Sequence, residues 1–169
     1  MTVGNIDSTE KGSGARYNDG KPDYSLFVLK DFHETLELHY DVDSTNDKMN
    51  ASTAIRLLGE FQQTHDYKYL YDILDMLETE DIAGATHVLT YGAKKYKAWN
   101  WAKGANWSIP LSCAVRHSLA ILNGEEYDSE SGQRHLAHVV CNVFMLIHYA
   151  KHYKEWNDLP PTWMFGESP

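Results

Sequence analysis

Long apolar runs are missing from this 169-residue chain. The longest, Val139 to Ile147, is interrupted by Asn142 and is far too short to span a bilayer, so no membrane role is expected. The opening stretch, Met1 to Gly14, is polar and lacks the apolar centre of a signal sequence, which gives the expectation of a soluble, cytoplasmic protein. Cysteine is scarce. Cys113 and Cys141 both fall inside apolar helical patterns, where a thiol behaves as a small hydrophobe, and neither a disulfide scaffold nor a structural zinc site is indicated. Strand-like alternation, internal repeats and low-complexity tracts are also absent, which leaves an all-α fold, a compact helical bundle. Positive charge is in deficit, with 24 acids against 15 lysines and arginines and a net charge of −9. Phosphate neutralisation supplies most of the affinity for extended nucleic acid, so such a partner is not expected.

What is present suits one domain over residues 1–169, since 43% of the residues are hydrophobic. The acidity is local: residues 31–81 hold 13 acids and 3 bases, whereas 82–169 hold 7 and 8, and 1–30 hold 4 and 4. Apolar spacing predicts helices over 25–40, 51–63, 67–77, 80–97 and 108–123, and a long final helix from His135 to about 155–158, with a polar turn at 41–50. Ser108, two residues before Pro110, is expected to cap the helix that Asn123-Gly124 ends. Pro160-Pro161 stops further helix, and the tail carries Trp163, Met164 and Phe165.

The chemistry concentrates between Tyr91 and Asn142. One helix carries Arg116 and His117, the next places His135, His138 and Asn142 on one stripe, and the loop between them offers Glu125, Glu126, Asp128 and Glu130. Carboxylates suit Mg²⁺ or Mn²⁺, and added imidazoles favour Mn²⁺, Fe²⁺ or Zn²⁺. Lys94, Lys95 and Lys97 close a helix whose dipole already explains them, and Trp99, Trp101 and Trp107 crowd the connector that follows. Near the N-terminus, Gly14 to Pro22 reads as a loop, a basic arm with Arg16, Tyr17 and Lys21 that suits a cap over a nucleotide, cations on phosphate and ring on base.

Several blocks together resemble the phage and prophage dATP/dGTP diphosphohydrolase family. They are Gly14-Ala15-Arg16-Tyr17-Asn18-Asp19-Gly20-Lys21-Pro22, Tyr91 to Tyr96, Asn100-Trp101-x-x-Gly104-x-x-Trp107-Ser108, Arg116-His117, Gly124-Glu125-x-x-Asp128-x-Glu130-Ser131-Gly132 and His135-x-x-His138-x-x-x-Asn142. The resemblance implies a small MazG-like all-helical enzyme that cleaves a deoxynucleoside triphosphate to monophosphate and pyrophosphate with Mg²⁺ or Mn²⁺. It assigns catalysis to Glu125, Glu126, Asp128 and His117, and metal binding to Glu125, Asp128, His135 and His138. Substrate binding falls to Arg16, Tyr17, Lys21, Lys94, Lys95, Asn100, Trp101, Lys103, Arg116 and Asn142. It also makes 14–30 and 81–158 the family-like core, 41–80 a helical insertion, the assembly a homo-oligomer and the compartment the cytoplasm, of a host cell if the chain is phage-encoded. One departure is plain: of the paired Glu-x-x-Glu and Glu-x-x-Asp helices of MazG-like proteins, only Glu125-x-x-Asp128 is present, beside a loop. The alternative is a binder that sequesters a nucleotide or nucleotide-derived signal without cleaving it.

Overall fold

Among the described residues, 2–17 and 20–166 of the computed structural model, six α-helices follow one another. They are α1 Leu29–His39, α2 Asn46–Thr64, α3 Lys68–Met76, α4 Thr79–Tyr96, α5 Ser108–Leu122 and α6 His135–His152. The expected all-α bundle is what forms. A two-residue antiparallel ladder, β1 Thr2–Val3 with β2 Arg16–Tyr17, pairs Thr2 with Tyr17 and Val3 with Arg16. It lends the N-terminal arm a little order that the loop reading missed.

The core is built where the apolar stripes of α2, α5 and α6 meet. Ile55, Leu58 and Phe61 of α2, Leu111 and Val115 of α5, and Leu136, Val139 and Leu146 of α6 are all within 2% of complete burial. Each such side chain contributes roughly 1.5–3 kcal/mol by leaving water. The Phe61 ring stacks on Trp107 with centroids 5.8 Å apart, so Trp107 belongs to this core, and its indole N–H donates to the Tyr153 carbonyl at 2.9 Å. Within the stretch 41–80, α2 packs against α1, α3 and α5, and α3 against α6.

Helix α6 ends at His152, short of the expected 155–158, where the chain passes through Tyr153 into a separate 3₁₀ turn at Lys154–Trp156. Three further boundaries differ for identifiable reasons. Helix α1 starts at Leu29, not Ser25, because buried Gln62 intercepts the backbone there. Its amide N–H₂ donates to the carbonyls of Phe27 (2.7 Å) and Ser25 (3.2 Å), and its Oε1 accepts from the Leu29 N–H at 2.9 Å. Helix α2 starts at Asn46, inside the expected turn, since the Thr45 hydroxyl accepts from the Lys48 N–H at 3.1 Å and caps a polar first turn with no apolar periodicity to announce it. Ser108 is the first residue of α5, not its cap. Its N–H donates to the Asp158 carboxylate at 2.9 Å, so an acid fifty residues away caps the helix.

Candidate active site

Helices α5 and α6 form an antiparallel hairpin, and α4 packs on α6 beside it. His117 meets His135, while Cys113, one turn earlier on α5, faces Asn142, two turns later on α6, with Arg16 between them. Between these helices and the arm lies a cavity of about 880 Å³. Arg16, Lys21, Lys95, Asn100, Trp101, Arg116, His117, Glu125, Asp128, His135, His138 and Asn142 all reach its wall. Glu126, Lys94 and Lys103 do not, and the expectation for the Tyr17 ring lies outside the described residues.

At one end stand three imidazoles. Nδ1 of His117 is 2.9 Å from Nδ1 of His135, and the His117 ring stacks on His138 with centroids 4.2 Å apart at 13°. Burial, reinforced by the neighbouring imidazoles, pushes the His117 pKa down to about 2. Burial likewise takes His138 to about 4, and it lowers His135 against the opposing pull of Asp128 and Glu125. All three rings are therefore neutral at pH 7 and offer lone pairs.

One proton serves the two facing Nδ1 atoms. Nε2 of His135 is buried and has no hydrogen-bond partner among the described residues. A buried Nε2–H left unpaired would be costly, so the proton belongs on His135 Nδ1, leaving Nε2 as a lone pair 3.8 Å from Glu125 Oε2. A lone pair aimed at a carboxylate suits a cation between them. Ligand atoms of His117, Asp128 and His135 lie within 4.8 Å of one another, a two-nitrogen, one-oxygen set that fits a divalent transition ion. His117, expected as a catalytic group, is one of these three; its Nδ1 accepts the His135 Nδ1–H, so an ion bound there would take the place of that hydrogen bond. Nε2 of His138 is instead 2.6 Å from the Ser131 hydroxyl.

About two turns along α6 is the cationic part. Arg16 enters from the arm with Nη2 3.0 Å from Cys113 Sγ and 3.2 Å from Asn142 Oδ1, and Nη1 3.4 Å from Met145 Sδ. Nη2 of Arg116 is 2.9 Å from the same thiol. Burial raises the Cys113 pKa, but the two guanidiniums outweigh it and the net shift is downward. Among the described residues no carboxylate lies within 4.0 Å of either guanidinium. Such charges in a half-buried cavity are suited to an anion. Further on, Trp101 meets Phe144 edge-on at 6.5 Å, and Trp99, 74% exposed, stands at the rim.

The arm is fixed by residues expected on the substrate. Buried Asn100 brackets Ala15, its Oδ1 accepting from the Ala15 N–H and its amide donating to the Ala15 carbonyl, both at 2.9 Å. Lys103 donates to the carbonyls of Asn5 (2.9 Å) and Ser8 (2.8 Å). Gly14 lies so close to Gly104 that an added Cβ would meet its carbonyl oxygen at 2.8 Å.

The acidic loop is fastened at three points. Glu126 pairs with Arg134 at 2.7 Å on the outer side, where Arg134 also binds buried Asp81 (2.8 Å) and Asp47 (3.0 Å). Glu130 accepts from Tyr91 and Lys95 of α4, each at 2.7 Å, which holds its pKa below the ordinary value, Lys95 first and Tyr91 second. Asp128 accepts from the N–H and hydroxyl of Ser131, each at 2.9 Å. Tyr91, Cys113, Ser131 and Met145, which contact candidate groups, were not among the expected site residues. Of these only Ser131, beside Asp128 in a loop crowded with carboxylates, carried a usable signal.

No helix among the described residues is long and apolar enough to cross a membrane. No curated protein and no solved structure matches the chain. A protein-family model described as dATP/dGTP diphosphohydrolase, N-terminal, does match, and since it takes in residues 60–159, from the end of α2 through the whole cavity-forming hairpin, the chain belongs to that family.

Proposed function

We propose that the cavity binds a deoxynucleoside triphosphate of the dATP/dGTP kind and, with a divalent cation, hydrolyses it to monophosphate and pyrophosphate. The observation that carries this reading is a juxtaposition: the His117, Asp128, His135 set shares one cavity with two guanidiniums that no described carboxylate balances. The family description supports it. His117, Asp128 and His135 would hold the ion, and the mixed nitrogen and oxygen donors favour Mn²⁺ over Mg²⁺. When bound, such an ion neutralises phosphate oxygens and makes a nearby water more acidic.

The chain's own groups divide the remaining work. Glu126 and Glu130 are committed to Arg134 and Lys95, and Asp128 to Ser131, so Glu125 is the carboxylate positioned to take a proton from the attacking water. The water oxygen bonds to a phosphorus of the α–β linkage and the bridging P–O bond breaks. Pyrophosphate leaves with its charge met by Arg16 and Arg116. Trp101, Trp99 and Phe144 line the end where a planar base would lie.

The commitment of three loop carboxylates out of four also favours the second reading, a site that holds a nucleotide without cleaving it. Incubating the protein with each dNTP plus Mn²⁺ and measuring pyrophosphate separates the two. Release that Glu125→Gln abolishes supports hydrolysis, whereas an intact nucleotide recovered from denatured protein, with no pyrophosphate, supports the binder. We also propose a cytoplasmic homo-oligomer: Ile82 of α4 and Trp163 and Met164 of the tail, at 40%, 73% and 57% exposure, offer apolar surface for a second copy. A monomeric mass by light scattering at micromolar concentration contradicts that part.

A further inference from the structure

Ser131 lies between the acidic loop and α6, and its hydroxyl is shared. Oγ is 2.9 Å from Asp128 Oδ2 and 2.6 Å from His138 Nε2, while the Ser131 N–H also donates to Asp128 Oδ2 at 2.9 Å. Asp128 Oδ2 and His138 Nε2 are themselves 3.4 Å apart. A hydroxyl has one proton to give. If it went to His138 Nε2, Oγ would turn a lone pair toward the Asp128 carboxylate at 2.9 Å, an unfavourable contact between two acceptors. If it goes to Asp128, His138 must carry its proton on Nε2 and donate to Oγ, and both contacts of the hydroxyl then pair a donor with an acceptor.

We infer that Ser131 is a positioning residue: its hydroxyl relays a hydrogen bond from His138 Nε2–H to Asp128 Oδ2, which orients the carboxylate and fixes the imidazole tautomer. This rests on the proposed function, because it is as a cation ligand that Asp128 needs orienting. Two donors from one serine occupy Oδ2, so the other oxygen, Oδ1, remains for the His117 and His135 side of the site. The tautomer takes Nε2 of His138 out of the ligand set and leaves its ring to stack on His117, 4.2 Å away. Carboxylate, hydroxyl and imidazole come from three positions that the loop's own bonds hold in register, Gly132 N–H to the Asp128 carbonyl at 2.8 Å and Asp128 N–H to the Gln133 carbonyl at 2.8 Å.

Two measurements test this. In the ¹⁵N-labelled metal-free protein, with His138 assigned by the signals lost in His138→Gln, the ring is expected with its proton on Nε2; a proton on Nδ1 overturns the relay. Mn²⁺ titration followed by electron paramagnetic resonance is expected to show Ser131→Ala binding the ion 10–100-fold more weakly, and Ser131→Thr, which keeps the hydroxyl, within about threefold of wild type. Ser131→Ala that melts like wild type and binds Mn²⁺ within threefold overturns the positioning role, as does Ser131→Thr that folds and binds no better than Ser131→Ala. Wild type that binds no Mn²⁺ sinks the proposed metal site instead, and the tautomer then decides the relay alone.

Discussion

Replacing Asn100 by Ala tests whether the N-terminal arm is part of the site or an ornament on it. Asn100 is 5% exposed and Ala15 is fully buried, and the side chain makes both hydrogen bonds to the Ala15 peptide groups. Removing it strands one N–H and one C=O, each costing about 1–3 kcal/mol if the arm stays docked. The total, about 2–6 kcal/mol, has a ceiling, because the arm can instead detach and let water satisfy both groups; the loss then equals the arm's own docking energy. Other fasteners include the Gly12 N–H to the Lys103 carbonyl (2.7 Å), the Gly14 N–H to the Gly104 carbonyl (2.9 Å), the Lys103 ammonium and the Lys97–Asp7 and Lys11–Glu155 ion pairs. Detachment withdraws Arg16 from Cys113 and Asn142, and with it half of the uncompensated positive charge. Asn100→Ala is therefore expected to lower the melting temperature by roughly 4–24 °C, at about 2–4 °C per kcal/mol for a chain of this size. Amide exchange at Gly12, Gly14 and Ala15 is expected to quicken, and nucleotide affinity to fall at least as far as in Arg16→Ala. Unchanged exchange at those amides together with unchanged nucleotide affinity refutes the reasoning.

Other consequences follow from the same geometry. His117 and His138 have folded-state pKa values of about 2 and about 4 against 6.5, so the unfolded chain takes up protons first. Their stabilising contribution is complete above that value and is lost as pH falls below it, each ring costing on the order of 1–2 kcal/mol between pH 7.5 and 5.5. Denaturant midpoints of the metal-free protein are expected to reflect about 3 kcal/mol over that interval, and the double variant His117→Gln, His138→Gln to flatten the profile. Glu125→Gln is expected to abolish pyrophosphate release, while Glu126→Gln, which loses only a surface pair with Arg134, keeps turnover within a few-fold and costs under about 1 kcal/mol by calorimetry. Iodoacetamide is expected to label Cys113, whose thiol the two guanidiniums acidify, before Cys141, whose pKa burial raises to about 11; peptide mapping reads the order, and bound triphosphate slows the Cys113 reaction.

Helical periodicity and the loop carboxylates were legible in the sequence because both are local. The bundle and the α5–α6 hairpin follow from 3.6-residue spacing, and the convergence of His117, Asp128 and His135 follows from the hairpin. What was illegible depended on partners distant in sequence. Gln62 moves the start of α1 by holding backbone 35 and 37 residues away, and Asp158 caps α5 from 50 residues on. Asn100 and Lys103 share their motif with cavity residues, and spacing alone could not show that Asn100 turns to a backbone 85 residues earlier and Lys103 to carbonyls 95 and 98 residues earlier. Glu126 and Glu125 are adjacent yet point to opposite sides of the loop, a division that the distant Arg134, Asp81 and Asp47 enforce.

That division separates the stiff half of the site from the adjustable half. Arg134 joins α2, α4 and the loop through Asp47, Asp81 and Glu126, with Asp81 1% exposed, and the next residue is His135. A buried carboxylate stripped of its partner costs about 3–5 kcal/mol, so the loop side does not yield cheaply and its ligand atoms are preorganised. The guanidinium of Arg16 is held differently: its described contacts are a thiol, a thioether and one amide oxygen, none of them a carboxylate. A polyanion entering the cavity replaces those contacts with charge-assisted ones at little structural cost. Under the proposed function, affinity for phosphate is set on the arm side and the geometry of the reacting atoms on the loop side. Variants of Arg16 are accordingly expected to change KM before kcat, and variants of Arg134 to change kcat through the placement of His135 and Asp128, as steady-state kinetics would read.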